Sequence, residues 1–215
     1  MIYAHWFKRP LDVVSAGAGI VLLLPVFAVL AVLVWITSGR PVLFRQVRVG
    51  RNGTQFVMLK FRTMRVNAPD LRNSDSTTFN AVDDQRVTPI GRLLRASSLD
   101  ELPQLFNVLW GDMSLVGGRP DLPSGVAGYK PYQRDRLLVR PGITSWAMLH
   151  GRNNVPLDER RDLDAWYAHN VGFLLDARIL LGTLRIVVRR EGVVNEFSRR
   201  LGDETAPGEH AAERP

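Results

Sequence analysis

The sequence predicts an α+β fold: a small mixed helix/strand domain with an N-terminal re-entrant membrane helix and interfacial amphipathic helices. Three observations carry that expectation. Residues 13–36 hold no charge and are divided by Pro25; Phe56–Met64 alternates like a strand between helical patterns; and Ala177–Val188 is an apolar stretch bracketed by arginines. The boundaries expected from these patterns are 1–38 for the membrane helix–break–helix with its basic flanks, 39–202 for the domain on the membrane surface, and 203–215 for a disordered tail.

The chain has 215 residues, enough for one domain with a sizeable core. Its 28 Lys and Arg against 21 Asp and Glu give a net charge of +7. The tail DETAPGEHAAERP carries four acids and one arginine, which leaves the remainder at +10. With almost nothing to bury, that tail is expected to be disordered. A body this basic suits an anionic partner: nucleic acid, an acidic lipid surface or a phosphate-bearing substrate. No cysteine is present, which excludes disulfides, thiol catalysis and cysteine-ligated zinc. The four histidines, His5, His150, His169 and His210, lack metal-ligand spacing.

As a helix the run VVSAGAGIVLLLPVFAVLAVLVWI would be about 36 Å long, against about 30 Å of hydrocarbon. It is too long for a signal peptide and no small-residue cleavage site follows it. It also lacks the polar face of a soluble helix. Pro25 leaves two arms of about 17 Å, each reaching mid-bilayer, and its ring crowds the Val21 carbonyl, so a bend is expected. Lys8 and Arg9 precede the run while Arg40, Arg45, Arg48 and Arg51 follow it. A spanning helix is basic mainly on one side, so the re-entrant form, with both ends on the cytoplasmic side, is the simpler reading. Proline is tolerated in spanning helices too, which leaves a true span open. Small residues at 15–19 would let a neighbouring helix come close.

Beyond the membrane segment, GRNG (50–53) signals a turn, and Phe56–Met64 reads as a strand with Lys60 and Arg62 on one face. Residues 66–85 form a long polar loop. Ile90–Arg95 and Leu102–Trp110 read as helices, the second closed by Gly111. Loops follow at 116–123, 139–146 and 150–156, then a helix within 159–175. The last helix, Ala177–Val188, is read equally as core packing or as lying along lipid headgroups.

The stretch SSLDELPQ (97–104) sets Asp100 beside Glu101. One reading is a capping box between Ser98 and Glu101. Pro103 disfavours it, because that register puts proline where a helical amide is needed; Asp100 as the cap avoids the loss. The alternative is chemical. A carboxylate is an anionic nucleophile at neutral pH, and a second carboxylate can hold Mg²⁺, which is shared with substrate phosphates. Arg92, Arg95, Arg119, Lys60 and Arg62 supply nearby cations.

The order of motifs then becomes specific: KRPLD (8–12), the proline-split run, FRQVRVGRNGTQF (44–56), KFRTM (60–64), RVTPIGRLLRASSLDELPQLFNVLWGDMSLVGGRP (86–120), RPGITSWAMLHGRN (140–153) and DAWY (164–167). Over nearly the whole chain to about residue 200, this resembles the bacterial sugar transferases, the monotopic phosphoglycosyl transferases, in a form close to their minimal catalytic unit. The resemblance implies transfer of a sugar-1-phosphate from a UDP-sugar to a polyprenyl phosphate, with release of UMP. Asp100 is implied as the nucleophile that carries the phosphosugar, and Glu101 as the Mg²⁺ ligand. Lys60, Arg62, Arg95 and Arg119 are expected at the phosphates, with Pro120 in the nucleotide-side loop. Lys8, Arg9, Asp12 and Pro25 are implied as the membrane anchor. The expected setting is the bacterial inner membrane, with the catalytic domain on the cytoplasmic face.

The partners implied are the UDP-sugar, the polyprenyl phosphate and membrane lipids; a homodimer is among the assemblies allowed. Two departures stand out. Leu24 replaces the serine that often precedes the membrane proline, and Gly118 stands where many relatives have a second proline, which predicts a looser loop. The rival reading is a non-enzymatic basic protein bound to the membrane surface. A nucleic-acid partner is not expected, because no basic-aromatic binding motif accompanies the charge.

Overall fold

A computed structural model describes residues 2–69, 71, 84–151 and 155–189. Most of the polar loop 66–85, the centre of loop 150–156 and the tail 203–215 lie outside the described residues. Helix α1, Lys8–Ser38, follows a short π-helical turn at Tyr3–Phe7. The expected break is not there: helical structure continues past Pro25, so the segment is one helix with a proline inside it. A proline forfeits one amide bond, and the bonds on either side carry the helix through. With its leading turn the element is long and apolar enough to cross a membrane.

One face of α1 packs along the domain. Ala16 joins a core with Phe56, Met58, Val108 and Met113, while Leu30 and Val34 join a second with Phe61 and Leu94. The small residues near its start meet helix α3, Gln104–Trp110, where Gly17 faces Leu109 and Gly19 faces Leu105. The other face leaves Val21, Leu22, Leu24, Val29, Val32 and Ile36 exposed.

Strands β1 (Leu43–Val49) and β2 (Gln55–Phe61) form an antiparallel hairpin. Its turn carries Asn52 at φ 56° and Gly53 at φ 79°, as GRNG signalled. β2 stops at Phe61, short of the expected Met64, and the Arg62 amide bonds the Val42 carbonyl. Helix α2, Pro89–Ser97, is capped by Thr88, whose hydroxyl accepts from the Gly91 amide at 3.0 Å.

A 3₁₀ turn at Leu99–Glu101 links α2 to α3, and Gly111 closes α3 at φ 100°. Strands β3 (Ser114–Val116) and β4 (Gly142–Thr144) pair in parallel. Short helices α4 (Pro123–Val126) and α5 (Trp146–Leu149) lie in the connections. Helix α6, Leu157–His169, and helix α7, Phe173–Arg189, complete the described fold. In α7, Ile179 is buried in a core with Val116 and Tyr167, while Leu174, Leu181, Leu184 and Val188 are exposed.

Candidate active site

Asp100 and Glu101 stand in the 3₁₀ turn between α2 and α3, and neither expected cap is made. Ser98 turns left-handed at φ 58° and provides no side-chain cap, and α3 begins only at Gln104, after Pro103. The physical reason is the interposed turn, in which the Glu101 amide bonds the Ser98 carbonyl and the Leu102 amide bonds that of Leu99. Pro103 was a correct marker of a helix start, but the carboxylates lie one turn before it.

The two carboxylates have unlike surroundings. Lys60, from β2, donates to Glu101 Oε1 at 2.7 Å, and Arg119 donates to the same oxygen at 2.9 Å. Asp100 is buried, yet among the described residues it receives no hydrogen bond. Burial pushes its carboxyl up from the ordinary value, partly countered by the charges of Lys60, Arg95 and Arg119. Burial alone would raise Glu101 as well, but Arg119 and Lys60 outweigh it and hold that carboxyl well below its ordinary range. Burial lowers Lys60, with Glu101 opposing.

Asn107, buried on α3, fixes Lys60's distance from the turn. Its side chain accepts from the Leu59 amide at 3.0 Å and donates to the Val57 carbonyl at 2.8 Å, as a neighbouring strand would. Arg95 approaches from α2, donating through Nε to Thr63 at 2.9 Å and lying within electrostatic reach of Asp100.

Arg62 is not with them. The expectation that it shares a face with Lys60 fails because β2 ends at Phe61. Its guanidinium turns to the C-terminal end of α1, donating to the Ser38 carbonyl and, at 2.6 Å, to that of Gly39. Pro120 is buried in the Arg119 loop, its carbonyl held by Arg48 at 3.0 Å. The proposed anchors tie the start of α1 to the domain: Lys8 pairs with Asp176 at 2.5 Å and Arg9 bonds the Leu109 carbonyl at 3.0 Å. Buried Asp12 accepts from Ser114 at 2.7 Å and from the Leu115 amide at 3.0 Å.

The donor set fits Mg²⁺. Glu101 Oε2 and both Asp100 oxygens accept no hydrogen bond among the described residues. Among those residues no group of three or more His, Cys, Asp or Glu side chains could hold a metal, so a cation here would take most of its ligands from water and substrate. Mg²⁺ commonly uses such sites, keeping waters and sharing itself with phosphates.

Sequence reading missed the residues that hold the Arg119 loop: Arg48, Tyr129, Arg136, Arg161 and Asp164. Only the DAWY motif and the general excess of arginine pointed towards them.

The bacterial sugar transferase family matches residues 3–190. The uncharacterized sugar transferase EpsL of Bacillus subtilis (strain 168) is 46% identical over 155 residues, 72% of this chain and 74% of that protein. The exopolysaccharide production protein ExoY of Rhizobium meliloti is 36% identical over 197 residues, covering 86% and 87%. The undecaprenyl-phosphate galactose phosphotransferase of Salmonella typhimurium is 36% identical over 203 residues, 88% of this chain and 42% of that protein. Against several such longer relatives the chain spans about two fifths of their length. With nearly all of its described residues matched, from the turn that leads into the apolar N-terminal helix to the end of α7, the chain belongs to the bacterial sugar transferase family.

Proposed function

We propose that the chain is a phosphoglycosyl transferase, moving a sugar-1-phosphate from a UDP-sugar to a polyprenyl phosphate by way of a covalent intermediate on Asp100. The observation that carries this reading is the pair of adjacent carboxylates in opposite environments. Glu101 is locked ionised between two cations, while Asp100 is buried and unencumbered by donors. A buried carboxylate without hydrogen bonds is the more nucleophilic of the two, and it needs no base. Relatives named as UDP-glucose:undecaprenyl-phosphate glucose-1-phosphate transferase and undecaprenyl-phosphate galactose phosphotransferase support the donor and acceptor classes.

In the first step an Asp100 oxygen forms a bond to the β-phosphorus. The bond from that phosphorus to the bridging oxygen breaks, and UMP leaves with the electron pair. In the second, an oxygen of the polyprenyl phosphate attacks the same phosphorus. The aspartyl–phosphorus bond breaks, releasing the Asp100 carboxylate and a polyprenyl diphosphate sugar. Lys60, Arg95 and Arg119 provide positive charge for the phosphate oxygens. Mg²⁺, held by Glu101 with an oxygen of Asp100 available, would supply further charge neutralisation on the diphosphate.

The membrane arrangement we favour is re-entrant, on the cytoplasmic face of the bacterial inner membrane, which requires α1 to bend at Pro25 without losing its helical continuity. It is supported by the way α1 is tied to one domain at both ends, through Lys8 with Asp176 and through Ser38 and Gly39 with Arg62, and packed on it between. A helix with its ends in opposite water layers would draw the domain packed between those contacts into hydrocarbon. Interfacial α7 and lipid contacts belong to the same reading.

The test is intact mass after incubating purified protein with Mg²⁺ and a panel of UDP-sugars but no acceptor. A phosphosugar adduct on Asp100 is expected. Turnover with added lipid but no adduct, or full turnover by Asp100→Ala, would overturn the scheme. For topology, cysteines placed at Tyr3 and at Ser38 should both react with a reagent confined to the cytoplasm; labelling from opposite sides would make α1 a span.

A further inference from the structure

The segment that presents Arg119 is held with unusual completeness. Four successive carbonyls are bound from three segments: β1, β4 and the 3₁₀ stretch Tyr132–Leu138. Gly118 bonds the Gly142 amide at 2.9 Å, and Arg119 bonds Arg136 at 2.6 Å. Pro120 bonds Arg48 at 3.0 Å, and Asp121 bonds the Val49 amide at 2.9 Å. Gly117 and Gly118 allow this through want of room rather than through flexibility. A Cβ at Gly117 would lie 2.3 Å from the Arg140 carbonyl oxygen, and one at Gly118 would lie 2.9 Å from the Asp164 carboxylate. The looser loop expected from Gly118 is therefore not found: the glycine admits Asp164 against the backbone.

Arg136 is the centre of this bracing and is almost wholly buried. One nitrogen donates to Asp121 at 2.7 Å and to the Tyr129 hydroxyl at 2.8 Å; the other donates to the Arg119 carbonyl and to Asp164 at 2.6 Å. Asp164 and Tyr167 are the two ends of the DAWY motif, and Tyr167 donates to the Val116 carbonyl at 3.2 Å. One helix thus supports both the strand that leads into the loop and the arginine that sits under it.

We infer that Arg136, seated on Asp164 and Asp121, is a positioning residue that aims the Arg119 guanidinium at Glu101 and so at the substrate phosphates. It touches neither carboxylate of the reacting turn and acts through the Arg119 backbone. The guanidinium suits this role because its fork reaches four acceptors in one plane, which an ammonium cannot do. This inference rests on the transferase reading for its kinetic effect, but its structural half stands apart from it.

The experiment is a double-mutant cycle in lipid nanodiscs, measuring UMP release with a UDP-sugar and undecaprenyl phosphate, together with amide hydrogen exchange. Arg136→Lys should lower kcat/KM by about 10- to 100-fold. In an Arg119→Ala background the same change should cost less than about twofold, because the group being aimed is gone. Equal losses in both backgrounds, or no loss, would overturn the proposal. Exchange at residues 117–121 should quicken by about tenfold or more in Arg136→Lys without a matching change in α6; unchanged exchange would also overturn it. Should Arg136→Lys fail to fold, Asp164→Asn decides by the same two measurements, with a loss of several-fold expected. An inactive wild type whose loop still loosens in Arg136→Lys would discard the transferase reading and leave the brace standing.

Discussion

The turn that carries Asp100 and Glu101 and the loop that carries Arg119 meet through one ion pair but are built in opposite ways. The turn is closed by two long backbone bonds, 3.2 Å from Glu101 to Ser98 and 3.3 Å from Leu102 to Leu99. The loop has its four carbonyls bound at 2.6–3.0 Å from three separate segments, β1, β4 and Tyr132–Leu138. Rigidity is concentrated on the side that supplies positive charge, while the group assigned to form and break a bond is more loosely framed. Preorganised charge is most effective when it need not rearrange during the reaction, whereas a nucleophile has to close on phosphorus.

The sharpest way to break this comparison is Asp100→Asn, which keeps the shape of the turn and removes the nucleophile. UMP release should fall by about 10³-fold or more, with membrane sedimentation unchanged. Retained turnover would mean that the two carboxylates have been assigned the wrong way round. Next in size, Glu101→Gln leaves Lys60 and Arg119 without their shared anion and should cost about 10²-fold in kcat, measured at saturating donor.

The acid side of the pH profile should separate the two groups. Burial raises Asp100 and the cations keep Glu101 ionised, so lowering the pH protonates Asp100 first and removes the nucleophile. The acid limb of kcat/KM should therefore lie above the ordinary aspartate value of about 3.9. In Glu101→Gln it should move downward, because the Glu101 charge contributes to the rise. Smallest in its effect on chemistry, Arg62→Met should cost about 1–3 kcal/mol of stability through the lost bonds to Ser38 and Gly39, read by thermal unfolding in detergent. Turnover by the folded fraction should stay within a few-fold of wild type, since the Arg62 guanidinium is engaged at the Ser38 and Gly39 carbonyls and bonds neither carboxylate.

Much of this was legible in the chain, and the failures share a cause. Long apolar runs found α1 and α7, alternation found β2, helical spacing found α3, and shorter patterns found α2 and α6. β1 was missed because only Val49 is buried and Phe44, Arg45 and Val47 are exposed, which leaves no clean alternation to detect. β3 and β4, three residues each, are too short to show a period. The adjacency of Asp100 and Glu101 was visible, but Ser98's left-handed turn and the late start of α3 were not. Arg62 was misplaced because alternation cannot say where a strand stops. Arg136, Asp164 and Asn107 act on segments 17–50 residues away, and spacing in sequence carries no trace of such ties.

The way α1 lies along the domain has a practical consequence for handling the protein. Ala16, Leu30 and Val34 fill the same cores as Met58, Phe61, Leu94 and Val108. Trimming residues 1–38 to obtain a water-soluble enzyme would strip the lining from the hairpin and from α3, leaving a sticky remnant in place of a free-standing domain. The apolar helix is thus part of the domain's own interior as well as its greasiest surface.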